Sequence, residues 1–234
     1  MANSDSPVYA ITGASGALGS GVAQMAASRG ARLALIDQAA HASAGIASLI
    51  GDNAMFLGGV DLADASEAQA AIGAAVSRFG RLDGLFNIAG AFRWTTVADS
   101  DAAGWDFLFR ANVQTAVNAS RAATDALKAS GRGRIVNVGA AGAERAGAGM
   151  GPYAASKAGV HKLTESLAEE LKGVVTVNAV LPTTVDTPQN RADMPKSDPT
   201  KWVSPAELAN VILFLASPEA SAVTGALLRV NGRV

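Results

Sequence analysis

Short apolar runs alternate along this chain with longer stretches in which apolar residues recur every three or four positions. The short runs read as strands: Val8–Ile11, Arg32–Ile36, Ala54–Val60, Gly84–Ile88, Arg134–Val138, Val174–Val180 and Leu227–Val230. The longer ones read as helices: Gly16–Arg29, Ser43–Ile50, Ser66–Phe79, Ala103–Ala129, Pro152–Leu171 and Ser204–Ser217. Ser204 and Pro205 supply the N-cap and first position of the last helix. Alternating strands and helices build a parallel sheet wrapped by helices, and right-handed crossovers favour the strand order 3-2-1-4-5-6-7. The predicted class is α/β: one doubly wound domain over residues 1–234, with helices on both faces of a seven-stranded sheet. Residues 1–7 are polar and expected to be flexible. Loops leaving the strand ends converge on one edge, where ligands belong.

Composition narrows the partners. A length of 234 residues with 49% hydrophobic content suits one sizeable core. A net charge of -1 and a pI of ≈ 6.1 give no electrostatic case for nucleic acid or an anionic membrane. The chain has no cysteine, which removes disulfides and thiolate ligands. His41 and His161 lie far apart without carboxylate spacing around them, so no metal site is expected. No apolar run reaches the ~18–20 residues of a membrane span. Met1–Pro7 lacks the basic and apolar regions of a signal peptide, and the expected compartment is the cytoplasm.

The candidate chemistry begins between the first strand and the first helix, in Thr12-Gly13-Ala14-Ser15-Gly16-Ala17-Leu18-Gly19. Gly13 permits a tight turn, Gly16 lets backbone approach a pyrophosphate, and Gly19 lets the helix pack on the strand. The helix N-terminus offers free N–H groups to the phosphates. Asp37 follows the second strand, eighteen residues past Gly19, where a carboxylate accepts both adenosine ribose hydroxyls and repels a 2′-phosphate. Its neighbour Gln38 is not basic, so NAD(H) is favoured over NADP(H). Asp61-Leu62 ends the third strand, where a side-chain oxygen meets the adenine edge; Asn87-Ile88-Ala89-Gly90 ends the fourth, its small residues leaving room beside the ribose.

A second constellation is Tyr153-Ala154-Ala155-Ser156-Lys157, opening a helix after the Ala/Gly-rich stretch Gly139–Gly151, which reads as an active-site loop. Residues four apart share a helical face, so the Lys157 ammonium can stand near the Tyr153 phenol. A free phenol titrates near pH ~10; a neighbouring cation favours the phenolate and gives a usable general acid or base.

Together these residues resemble the short-chain dehydrogenase/reductases over nearly the whole chain, through the glycine turn, Asp37, Asp61-Leu62, Asn87–Gly90, Asn112, Tyr153/Lys157 and Pro182 to Thr187. The resemblance implies a Rossmann-type fold and a hydride-transferring enzyme with Tyr153 as acid/base. It makes Lys157 both the group lowering the phenol pKa and a holder of the nicotinamide ribose. Asn112 would anchor a proton-relaying water. Pro182, Thr184, Val185 and Thr187 would line the cofactor, with Thr187 on the nicotinamide amide or pyrophosphate. The family pairs the Asn112 and Tyr153 helices across subunits, which implies a homodimer or homotetramer. The faces Ala116, Ala119, Ala122, Ala123 and Ala158, Leu167, Leu171 suit such pairing, and equally suit a sheet.

Three departures matter. Ala17 stands where the family's glycine turn has a second glycine, and Thr183 where a glycine usually follows the proline. The family's serine, thirteen residues before the tyrosine, is Ala140; no Ser or Thr occurs from Gly133 to Tyr153. Loss of such a donor typically costs roughly 3 kcal/mol of transition-state stabilisation, which an electron-poor conjugated substrate tolerates best. The dihydropteridine reductase branch shares this pattern, and Gly16–Gly19, Gly149–Tyr153, Ala158–His161, Leu181–Pro195 and Lys201–Pro205 are similar to it. Asn87–Gly90 and Asn112 instead resemble ordinary members. The implied reaction is hydride transfer from NADH to a conjugated C=N or C=O, a quinonoid dihydropterin among the candidates. The alternatives are an alcohol dehydrogenase or ketoreductase with water in place of the serine, and a non-catalytic NAD(H) redox sensor. Phe92, Arg93 and Trp94 lie near the expected substrate position, with Trp94 open as ring platform, core residue or lid. Met194 and Trp202 sit in an expected lid after strand six, and His161 is expected at a helix interface.

Overall fold

Val8–Thr12 forms strand β1, and its alternation sets up the two layers. Val8 and Ala10 point into one apolar cluster, Tyr9 and Ile11 into the other. The next strand, β2 (Arg32–Ile36), repeats the division with Ala34 and Ile36 against Leu33 and Leu35. Such strands are apolar on both faces because helices cover both. The other strands are β3 (Ala54–Leu57), β4 (Gly84–Asn87), β5 (Gly133–Val138), β6 (Val175–Pro182) and β7 (Leu227–Val230). All pair in parallel, in the order β3-β2-β1-β4-β5-β6-β7. This is the expected Rossmann-type sheet, and its order reverses between β1 and β4.

The helices are α1 (Ala17–Ser28), α2 (Ala44–Ala47), α3 (Ala65–Phe79), α4 (Ala102–Phe109), α5 (Thr115–Ser130), α6 (Gly151–Glu170), α7 (Pro188–Asp193) and α8 (Pro205–Leu215). Val22 of α1 and Ile212 of α8 pack on one sheet face; Ile72 of α3, Leu127 of α5 and Ala168 of α6 pack on the other. The Ser204 expectation holds in full: its hydroxyl accepts from Glu207 N–H while the Glu207 carboxylate accepts from Ser204 N–H. This computed structural model describes residues 6–233; of the expected flexible segment 1–7, residues 1–5 lie outside it. Pro7 is held, its carbonyl accepting from Arg32 N–H at 2.8 Å.

Several boundaries differ from the sequence pattern. The third strand stops at Leu57 because the chain turns at Gly58-Gly59, where Gly59 has φ +73° and a Cβ on Gly58 would meet the Ala40 carbonyl at 2.6 Å. The sixth runs on to Pro182, since Leu181 and Pro182 pair with Arg229 and Val230. The helix expected over Ser43–Ile50 is one turn. The long helix Ala103–Ala129 is broken by a π turn over Arg110–Gln114, which contains Asn112. Ala116, Ala119, Ala123 and Leu171 are buried within the chain, and Ala122 and Leu167 pack on the same core. These residues of the alanine-rich faces pack toward the sheet, while Ala158 is half-buried and outside that cluster. Among the described residues no helix is long and apolar enough to cross a membrane.

Candidate active site

A cavity of ≈ 900 Å³ opens at the C-terminal edge of the sheet, beside the β1/β4 reversal. The glycine turn forms its floor. Gly13 has φ +65°, and a Cβ on it would lie 2.9 Å from the Ala89 backbone; a Cβ on Gly19 would collide with the Gly13 carbonyl. Gly16 caps α1 without any side-chain bond to the helix N-terminus, leaving its first N–H groups open to an anion. Ala17 is exposed toward the cavity, so the replaced glycine narrows the space without closing it. Leu18 lines the cavity as well; the Ser15 hydroxyl is buried without a partner, and Ser15 is not among the lining residues. Open helix N–H groups and glycines that admit no Cβ fit a pyrophosphate.

Asp37 reaches this turn. Its Oδ2 accepts from Ser15 N–H at 2.8 Å and its Oδ1 from Ala39 N–H at 2.9 Å. It lines the cavity beside Gln38. Asp61 and Leu62 line the opposite part; Asp61 Oδ2 pairs with Arg110 at 2.8 Å. Ala89 and Gly90 form the wall from β4.

Asn87, expected in the cofactor set, is not among the residues lining the cavity. It is 5% exposed, and its Nδ2 donates to Asn137 Oδ1 at 2.8 Å and Ser120 Oγ at 3.1 Å. Asn137 in turn donates to Thr164 Oγ1, so Asn87 belongs to a buried network tying β4 to β5, α5 and α6. Pro182, Thr184 and Val185 are not among the lining residues: Thr184 O accepts from Val203 N–H, and Val185 bridges to Val203. Thr187 does line the cavity, and its hydroxyl caps α7 by accepting from Asn190 N–H.

The candidate reacting groups lie on α6 and the π turn. Asn112 is 1% exposed; its Oδ1 accepts from Ala91 N–H at 2.9 Å, and its Nδ2 donates to Ala91 O and Ser156 Oγ, each at 3.0 Å. It thus joins the exit of β4 to the Tyr153 helix. Gly90 permits this approach, since a Cβ there would lie 2.5 Å from Asn112 Oδ1 and 3.3 Å from Lys157 Nζ. Lys157 is buried, donates to Val138 O at 2.8 Å, and is lowered by that burial to a pKa of about 8. The Tyr153 ring packs edge-on against Phe92, with centroids 4.8 Å apart. Burial pushes its phenol up to about 12, so desolvation outweighs the lowering expected from Lys157. The phenol therefore keeps its proton at neutral pH.

Ala140, the expected replacement for a serine, is buried in extended backbone. Its N–H donates to His161 Nε2 at 3.3 Å. Trp94 is 63% exposed and lies over Gly149, with Nε1 donating to Ala148 O. It braces the loop before α6 and leaves the place beside Tyr153 to Phe92. Trp202, expected in a lid, is 6% exposed and packed inward. The sequence reading missed Thr12, whose hydroxyl donates to Phe86 O and accepts from Ile88 and Ala89 N–H, fixing the β4 exit against β1. The only local signal is a threonine directly before the first glycine. Arg110 and Phe107 also line the cavity, on the stretch flanking Asn112.

The comparisons agree with this geometry. Residues 13–232 match the family model described as enoyl-(acyl carrier protein) reductase. The chain belongs to the short-chain dehydrogenase/reductase family. Members similar to it include a 3-oxoacyl-(acyl-carrier-protein) reductase of Vibrio cholerae, 31% identical with 98% of both chains covered. A D-threitol dehydrogenase of Mycolicibacterium smegmatis is 34% identical, covering 97% of this chain and 92% of the other. Among solved structures, the 3-ketoacyl-(acyl-carrier-protein) reductase from Brucella melitensis complexed with NADH superposes with a TM-score of 0.86. It is 30% identical, with 99% of both chains covered. The protein is thus a short-chain oxidoreductase.

Proposed function

We infer that this chain is an NADH-dependent reductase acting on a conjugated C=N or C=O, with a quinonoid dihydropterin as the first substrate to test. The observation that carries the reading is the pairing of an alanine at position 140 with intact Tyr153, Lys157 and Asn112. Without the serine hydroxyl the site lacks one donor to a developing negative charge, worth roughly 3 kcal/mol. A substrate whose conjugation already accepts electron density depends least on that donor. The nicotinamide supplies the hydride. Tyr153 delivers the proton, and its raised pKa keeps the phenol in the acid form that reduction requires. Lys157 orients the ribose and, with Asn112, relays the replacing proton. Asp37 with Gln38 favours NADH over NADPH, since a carboxylate tied to the Ser15 amide meets ribose hydroxyls but repels phosphate. A cytoplasmic, homo-oligomeric enzyme of one domain completes the reading.

A second reading follows the relatives, which are named as ketoreductases and polyol dehydrogenases: a plain ketone or alcohol enzyme in which water replaces the serine. One experiment separates the two. NADH oxidation is followed with freshly generated quinonoid dihydropterin, a matched ketone and a quinone, subtracting the uncatalysed rate. Saturable turnover selective for the pterin supports the first reading. Turnover of the ketone alone, rising in Ala140→Ser, overturns it in favour of the second. Tight NADH binding with no turnover of any substrate overturns both and leaves a redox sensor.

A further inference from the structure

Lys157 and His161 stand four residues apart on α6, and both side chains reach the end of β5. Lys157 Nζ holds the Val138 carbonyl at 2.8 Å, and His161 Nε2 accepts the Ala140 N–H at 3.3 Å. Between them the Gly139 N–H donates to Val180 O at 2.9 Å. Position 139 has to lack a side chain, because a Cβ there would lie 2.5 Å from His161 Nε2 and 3.3 Å from Leu181 Cδ1. His161 and Ala140 are each 5% exposed. The imidazole therefore forms the floor beneath the strand-to-loop corner at which this chain carries no hydroxyl.

We propose that His161 is a positioning residue for the reduction: its neutral Nε2 clamps the Ala140 corner in place beside the reacting groups. The inference rests on the reductase reading of the site. A corner without a hydroxyl has no side-chain bond to substrate that would steady it, and the ammonium of Lys157 is shared with the ribose. His161 supplies the anchor that remains. To accept at Nε2 the ring carries its proton on Nδ1. An imidazolium would turn an N–H toward the Ala140 N–H, so protonation releases the corner. Burial is the main influence on the ring and keeps it below its ordinary pKa, preserving the acceptor at neutral pH. The charges acting on it are Glu144, which follows β5 and pairs with Arg229 at 2.6 Å, and Lys157, Lys162 and Glu165 of its own helix.

Two variants and two readouts test the clamp. His161→Gln keeps an acceptor that does not titrate; His161→Leu removes the acceptor. In the free protein, NMR should show the Ala140 amide shift titrating together with the His161 ring, and the amide should lose that dependence in His161→Gln. An Ala140 amide indifferent to His161 ionisation overturns the proposal. With whichever substrate the wild type turns over, His161→Leu should lower kcat about tenfold at unchanged KM for NADH, the loss expected for one orphaned amide donor. His161→Gln should restore kcat and abolish the wild-type acid limb, which lies below the usual histidine range of ~6.5. Full kcat in His161→Leu, or the same acid limb in wild type and His161→Gln, overturns the proposal. Failure of the reductase reading shows separately, as a wild type that turns over nothing; the amide titration then decides the clamp alone.

Discussion

Replacing Lys157 with methionine should abolish turnover and yet stabilise the chain. The ammonium is buried, bonded to the Val138 carbonyl, and its pKa is lowered from 10.5 to about 8 by desolvation. At 1.36 kcal/mol per pKa unit, keeping this group charged in the fold at neutral pH costs about 3 kcal/mol. Loss of the bond to Val138 offsets about 1 kcal/mol of the gain. Lys157→Met should therefore be more stable than wild type by about 2 kcal/mol at neutral pH. The pH dependence gives an independent check. Between about pH 8 and 10 the unfolded chain keeps a proton that the folded chain has released, so wild-type stability climbs as pH rises, by about 2 kcal/mol or more. The climb ends near pH ~10, where unfolded tyrosine ionises while buried Tyr153, at about 12, does not. Urea unfolding at neutral pH and at several alkaline values measures both effects. A Lys157→Met protein that unfolds at lower urea than wild type at neutral pH would refute the reasoning. So would equal alkaline climbs in the two proteins.

Tyr153→Phe should lower turnover at least ~100-fold while leaving NADH affinity intact, as read by steady-state kinetics and nucleotide fluorescence; retained turnover removes Tyr153 from proton transfer. Asp37→Ala removes the acceptor of the Ser15 and Ala39 amides, so NADH should bind about tenfold more weakly and discrimination against NADPH should shrink, both measurable by calorimetry. An unchanged ratio of the two affinities would count against the ribose role. Asp83→Asn should destabilise the fold by about 3 kcal/mol, because Asp83 is 3% exposed and accepts from Arg81, Arg132 and Val8 N–H. Burial alone would raise the Asp83 carboxyl, but the Arg132 and Arg81 bonds prevail and hold it below its usual value. Its contribution is thus present at neutral pH and lost as pH falls through that lowered pKa. Wild type should lose more stability than Asp83→Asn on acidification, and parallel acid unfolding curves would contradict this.

The strand order was legible because each strand is a short apolar run and each crossover a helical one, which leaves few ways to arrange the sheet. The glycine turn was legible because Gly13 and Gly19 leave no room for a Cβ, a constraint written into the residue type itself. Side-chain direction was not legible. Asn87 faces inward because Asn137 of the neighbouring strand pairs with it, a register fixed only when β4 and β5 align. Thr12 and Phe86 are 74 residues apart in sequence, and His161 and Ala140 are 21 apart; no local pattern announces either contact. Trp202 read as a lid residue because its surroundings are polar, whereas Val203 at its side bonds back to Thr184 and draws the segment into the core.

The same limit applies to the proton chemistry. Spacing places a cation near a phenol and predicts a lowered phenol pKa, but spacing contains no desolvation. In the folded chain burial acts on both groups and drives them apart, Tyr153 up to about 12 and Lys157 down to about 8. As built, the lysine is the stronger acid, and the phenol keeps its proton through the neutral range. Taking a proton from substrate would require Tyr153 to ionise first, against that burial; giving one requires no such step. A protonated phenol matches the donor role that the proposed reduction assigns to Tyr153. A substrate that draws hydride by its own conjugation needs from the chain little more than this proton and a steady surface. Ala140, held from beneath by His161, provides the surface without the hydroxyl.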